Sequence, residues 1–230
     1  MNLGSNVACY RLFQLISPSL PIGGFTYSQG LEYAVEAGWV SSKSELEDWL
    51  TNMAMSSIAT LELPILDKFY GATQSPSTAD DIALIDYWSE VLYASRETRE
   101  LRAEEIQRGK ALNTLLRQLD MDMTAVDQMQ QAPNQLVGLC IAAHHWQISL
   151  DDLKQGYLWS WLENMVTAGV KLVPLGQTDG QRTLLAVTEH FPNAIKRATQ
   201  IEDWMISSFT PSIAMASSLH ETQYTRLFRS

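Results

Sequence analysis

Leu158-Trp159-Ser160-Trp161-Leu162-Glu163-Asn164-Met165-Val166-Thr167-Ala168-Gly169-Val170-Lys171-Leu172, closed by Pro174, decides the class of fold. Leu158, Trp161, Leu162, Met165, Gly169 and Leu172 recur at steps of three and four, which places them on one face of an α-helix. A stripe of this width has to be buried against other elements. Gly169 within it lets a neighbouring helix come close. Lys171, with Asn164 and Thr167, points to the other side, a polar strip expected to be solvated.

Helical patterning continues in both directions. Val7 to Ile16 reads as a first apolar helix, stopped by Pro18 and Pro21. A second is expected to start after Gly23-Gly24, carry Leu31 and Val35, and end at the C-cap glycine Gly38. Ser42 with Glu45 forms a capping box, and Ser149 with Asp152 resembles another, with Ile148 and Leu153 as its hydrophobic staple. Gln74 to Thr78 reads as a short exposed loop, and Leu119 to Asn134 as a loop or marginal helix. Thr183 to Val187, the best candidate for a strand, fits a helix equally well. The expectation is a single all-α domain over residues 1–230, a multi-helix bundle without internal repeats.

On the helix before Leu119, Leu101, Glu105, Arg108, Leu112 and Leu115 share a face, so Glu105 and Arg108 are spaced to pair. Burial would make that pair a specificity device. The commoner arrangement, a helix that starts on the surface with Glu104, Glu105 and Arg108 wet, is the expectation here.

The last eleven residues depart from the usual composition of a chain end, which is small and polar. Tyr224, Leu227 and Phe228 alternate with Arg226 and Arg229, the composition of an interface anchor. A last helix docked on its own core is the alternative. Residues 211–230 are therefore a candidate partner-binding segment.

Composition narrows the function. With 46% hydrophobic and 18% charged residues the chain is not disordered. A net charge of −10 argues against a general nucleic-acid binder. Cys9 and Cys140 lie far apart with no C-x-x-C spacing, so neither a disulfide framework nor a zinc ribbon is indicated, and a reducing cytoplasm is the expected location. No apolar run reaches the length of a membrane span.

Catalytic patterns are absent. Gly109-Lys110 lacks the first glycine and the hydroxyl of a phosphate loop, and the glycines from Gly23 to Gly30 match no dinucleotide fingerprint. Adjacent His144 and His145 diverge by about 100° on a helix; with His190 and His220 elsewhere, no metal spacing emerges. Ser28 lacks the leading glycine of a nucleophile elbow. A helical enzyme or binding protein with a small-molecule pocket lined by Trp159, Trp161 and Tyr27 remains an alternative.

Three segments, taken together, carry a resemblance: LISPSLPIGGFTYSQGLEYAVEAGWV (15–40), ETRELRAEEIQRGKALNTLL (97–116), and WSWLENMVTAGVKLVPLGQTDGQRTLL (159–185) leading to the tail SSLHETQYTRLFRS. In this order they are similar to the urease accessory protein F (UreF) family over essentially the whole chain. The resemblance implies an all-helical, non-catalytic component of nickel delivery to urease. It also implies a homodimer that binds a second accessory protein, D or H, through its C-terminal region, and a platform that recruits the accessory GTPase G and serves the urease apoprotein. No cofactor, metal ligand, nucleic acid or membrane is implied for the scaffold itself. Pro21, Gly23, Gly24, Tyr27, Gly30 and Glu32 match the first motif; Glu97, Arg99, Glu100, Arg102 and Glu104 the second. Lys171, Pro174, Gly176, Gln177, Gly180, Gln181 and Arg182 match the third, and His220, Glu221, Tyr224, Arg226 and Arg229 the last. Met165 and Arg108 depart from it, where relatives commonly carry Gln and Met. Partner binding is thereby expected of Tyr27, Glu32, Lys171, Gln177, Gln181, Arg182, His220, Glu221, Tyr224, Arg226, Leu227, Phe228 and Arg229, and a structural role of Pro21, Gly23, Gly24, Gly30, Glu97, Arg99, Glu100, Pro174 and Gly176.

Overall fold

The computed structural model describes residues 6–74 and 77–230. Every regular element among them is helical, so the fold is all-α. The quoted stretch lies in the longest helix, α9 (Leu150–Leu172), and the rest of the bundle is arranged around it. The helices before it are α1 (Asn6–Ile16), α2 (Leu31–Glu36), α3 (Lys43–Met53), α4 (Leu63–Ala72), α5 (Ala79–Ala94), α6 (Arg99–Gln118), α7 (Thr124–Gln128) and α8 (Gln135–His145). Those after it are α10 (Gln177–Thr188), α11 (Phe191–Ala198) and α12 (Pro211–His220). Seven of them, α1, α2, α3, α4, α8, α10 and α11, pack on α9.

The stripe residues explain why so many can. Leu158, Leu162 and Met165 are almost completely buried. A Cβ at Gly169 would sit 2.6 Å from the Leu46 side chain of α3, and one at Gly156 would sit 2.7 Å from Leu12 of α1. Both glycines therefore mark lines of close helix approach. The tightest approach is elsewhere, between α6 and α8: a Cβ on Gly109 would fall 2.4 Å from the Pro133 carbonyl oxygen and 2.5 Å from Asn134 Cα, both backbone atoms.

Local signals place most helix ends. Ser42, Thr98, Asn134 and Ser149 each accept a hydrogen bond from the backbone N–H three residues on. At α5 the box is reciprocal between Thr78 and Asp81. Gly38 follows α2 in the left-handed region (φ +74). The start of α2 differs from expectation. Gly23 and Gly24 lead into a single 3-10 turn (Gly24–Thr26), Tyr27 is extended, and the helix begins only after Gly30 at φ +84. Leu119–Asn134 contains one short helix, α7, and Thr183–Val187 is helical within α10. The loop expected at Gln74–Thr78 includes Ser75 and Pro76, which lie outside the described residues.

Between α3 and α4 the helix does not break but widens into a π-helical stretch, Ala54–Glu62. A wider turn leaves backbone carbonyls off the regular ladder. Here the Ser56 and Thr60 carbonyl oxygens accept from the N–H groups of Phe209 (3.3 Å) and Ser207 (3.1 Å), so the segment before α12 is pinned along it.

The wet-surface expectation for α6 is overturned. Glu104 and Glu105 are 4% and 3% exposed. Helix α8 packs on α6, and Glu62, at the end of the π-helical stretch, reaches Arg96 beside it. Glu105 does not pair with Arg108. Its partner is Arg96, outside the helix, which donates to Glu105 and to Glu62, each at 2.9 Å. Arg108 pairs instead with Glu104, one turn back, at 3.0 Å. Tyr157 of α9 is buried beside this group; burial and the charges of Glu62 and Glu105 hold its phenol well above the usual range.

Replacing Arg96 with Met should destabilise the fold by about 3–5 kcal/mol, because two buried carboxylates would lose their common counter-charge. Gly109→Ala should cost about 2–3 kcal/mol through backbone displacement and lower Tm by about 5–10 °C. Thermal denaturation followed by circular dichroism checks both; an unchanged Tm in either variant would contradict the packing described.

Candidate functional site: the anchored C-terminal tail

The three sequence segments singled out above meet at one place, and the last ten residues form its outer layer. Glu32 sits in the first turn of α2 and is 5% exposed. Gly30 sets it there: a Cβ on Gly30 would lie 2.9 Å from Ser217 N and 3.1 Å from Ala216 Cβ of α12. One Glu32 oxygen accepts the main-chain N–H of Leu227 at 2.7 Å. The other accepts the N–H of Phe228 at 2.9 Å and His220 Nε2 at 3.1 Å. Glu100, in the first turn of α6, lies 2.6 Å from His220 Nδ1 and accepts from Arg226 Nη1 at 2.6 Å. The Glu221 carboxylate accepts the Glu100 N–H at 3.2 Å.

The fully buried His220 ring thus lies between two carboxylates, Nδ1 on Glu100 and Nε2 on Glu32, and Arg226 reaches Glu100 from the outer side.

Further along, Ser230 is fully buried. Its carbonyl oxygen accepts from Ser28 N (2.7 Å) and Ser28 Oγ (2.5 Å), and its hydroxyl donates to Glu104 at 3.0 Å. Arg229 N donates to the Thr26 carbonyl at 2.8 Å. Below this layer Gln29 joins Glu104 (2.9 Å) to the indole N–H of Trp161 (3.1 Å). The Tyr27 hydroxyl donates to Gln107 at 2.8 Å. Burial, with Glu104 alongside, holds the Tyr27 phenol above its ordinary range, so it acts as a neutral donor. Phe228 is turned in, with the Lys171 ammonium 6.0 Å from its ring centre.

Two tail side chains are turned out. Tyr224 is fully exposed and Leu227 is 74% exposed. Phe25, Met215 and Leu219 add exposed apolar surface on neighbouring elements. Arg99, Arg102, Arg226, Arg229 and Lys171 are exposed cations on the elements that build the site.

The site therefore gathers Tyr27, Glu32, Glu100, Lys171, His220, Glu221 and residues 224–229, but in different roles. Tyr27, Glu32, His220 and Phe228 face inward; Tyr224, Arg226, Leu227 and Arg229 face outward. Gln177, Gln181 and Arg182 are exposed on α10, which packs on α3 and α9; Arg182 reaches Asp179 at 3.5 Å. Glu97 and Pro174 are exposed, and Gly176 caps α10 through its backbone. Ser28, Gln29, Gln107 and Ser230, all structural members of the site, carry no sequence signal as such. Tyr27, Trp159 and Trp161 do not share a pocket. Trp159 lines an apolar groove of about 530 Å³ with Cys9, Leu12, Phe13 and Ile195, whereas Trp161 borders a cavity of about 20 Å³. Among the described residues no group of His, Cys, Asp or Glu is placed to hold a metal ion, and no helix is long and apolar enough to cross a membrane.

The UreF family model matches residues 40–188. A urease accessory protein UreF from Alcanivorax borkumensis is 48% identical over 98% of this chain and the whole of its own length. Those of Alkalilimnicola ehrlichii and Pseudomonas entomophila are 47% and 45% identical, over 96% and 99% of this chain and 95% and 100% of theirs. At such identity over full length, the chain belongs to the UreF family of urease accessory proteins.

Proposed function

We propose that this protein is a non-catalytic scaffold of urease maturation that works through its surfaces. The observation that carries this reading is the tail: the buried Glu32 carboxylate anchors it by its backbone, while Tyr224 and Leu227 project into solvent. Large apolar side chains held rigid and exposed lose little conformational entropy on association, which is the character of interface hot spots. The cationic rim would steer an acidic, apolar-pocketed partner to a chain whose net charge is −10. In this reading that partner is the accessory D/H protein. The exposed strip of Lys171, Gln177, Gln181 and Arg182 is left for the assembly that recruits the GTPase G and serves the urease apoprotein. Nickel is cargo of the assembled complex. A cytoplasmic location suits the two free thiols, one of them, Cys140, inert because burial raises it.

The apolar groove of about 530 Å³ has a place in the same reading. Helix α1 exposes Val7 (61%), Tyr10 (67%) and Phe13 (58%) beside it, and Trp159 of α9 and Ile195 of α11 complete its walls. We assign this face to the homodimer, whose two-fold symmetry lets one helix fill the groove of the other copy.

Pull-down and calorimetry with the D/H protein should show binding weakened about thirtyfold or more by Tyr224→Ala combined with Leu227→Asp, with the helical content kept. Undiminished binding would remove the tail from the interface. Phe13→Asp should convert the dimer to monomer in sedimentation experiments at micromolar concentration. A dimer that survives the substitution would place the seam elsewhere.

A further inference from the structure

We propose that Glu32 is the latch of the tail: its carboxylate holds the partner-binding surface in its docked form although Glu32 itself is out of a partner's reach. The inference rests on the tail reading above and concerns how that surface is kept ready. Three nitrogens from two segments converge on this single side chain: Leu227 N at 2.7 Å, Phe228 N at 2.9 Å and His220 Nε2 at 3.1 Å. With 5% of its surface exposed, it offers a partner almost nothing to touch. Leu227 is the opposite case, exposed over 74% of its area yet tied at its backbone. The charges around the latch come from every element that meets there: His220 on α12, Glu100 on α6 with Glu221 at its N–H, and Arg226 on the tail.

The geometry allows no simple substitute. Short of proline, mutation leaves the main-chain N–H groups in place, so the hold on Leu227 and Phe228 is set by the acceptor, Glu32. A neutral amide at position 32 keeps one acceptor oxygen and turns an N–H₂ group towards donors. Hydrogen bonds to a charged acceptor are about twice as strong as neutral ones. Loss of the carboxylate should therefore free the tail while the core of α9, which does not contribute to these bonds, stays intact.

Amide exchange followed by NMR on the full chain tests the proposal. In the unsubstituted protein, without partner, the Leu227 and Phe228 amides should exchange at least about a hundredfold more slowly than in an unstructured chain. In Glu32→Gln their exchange should quicken about tenfold or more, with the amides of α9 unchanged. Glu32→Asp keeps the buried charge but withdraws it by one methylene, and should loosen the same two amides; it serves if the amide variant does not fold. Apparent affinity for the D/H protein should then fall in proportion to the docked fraction of the tail. Free exchange at Leu227 and Phe228 in the unsubstituted chain would overturn the latch, as would protection that persists in a folded position-32 variant. So would loss of binding with both amides still protected. A chain that never binds the D/H protein would sink the functional reading instead, and the exchange measurements would still decide the latch.

Discussion

A buried carboxylate has to be given partners, and this fold is organised around that demand. Glu32, Glu62, Glu104 and Glu105 are each at most 5% exposed. Removing such groups from water costs several kcal/mol apiece, recovered only where donors converge with good geometry. Each finds at least one partner outside its own helix. Glu62 and Glu105 share Arg96; Glu104 takes Arg108, Gln29 and Ser230; Glu32 takes His220 and the tail backbone. Apolar packing around α9 would tolerate many small shifts of its neighbours. The carboxylates do not, because each is bonded to at least one group whose position another segment of the chain sets.

The helices were legible because their signals are local. Capping residues, apolar stripes and glycines act within one element, so Ser149 marks the start of α9 and Gly169 its line of contact without knowledge of anything else. The polar interior was not legible for the opposite reason. Spacing arithmetic on α6 offers Glu105 a partner three residues on, whereas its actual partner, Arg96, lies outside the helix and is reached only because α6 turns that face towards the π-helical end of the preceding pair. Likewise the tail announced itself by composition, but its attachment did not. Leu227 and Phe228 are held by N–H groups that every residue except proline possesses, and such donors leave no trace in a sequence. Resemblance to the family grouped Glu32 with His220 and Tyr224; only the coordinates separate the inward-facing members from the outward-facing ones.

That separation bears on how a protein working through such a surface, as proposed, would respond to buried substitutions. On the proposed reading the residues that meet a partner are few, the exposed Tyr224 and Leu227 first among them. Those beneath them determine whether the surface exists in a binding-ready shape, and they are coupled: His220 bonds to both Glu32 and Glu100, and Glu100 also bonds to Arg226. Energies of groups that share partners in this way do not add.

The π-helical stretch from Ala54 to Glu62 has a bearing on the lineage of the fold as well as on its packing. Each residue added to or taken from a helix rotates everything beyond it by about 100°. Trimming this stretch by one residue would make α3 and α4 a smoother rod, yet it would swing Glu62 away from Arg96 and withdraw the carbonyls that hold Ser207 and Phe209. Locally the regular helix is the better structure; globally it is out of phase with both of its neighbours. Length in this segment is therefore a frozen variable, and chains descended from this architecture can change the letters of the stretch far more easily than their number.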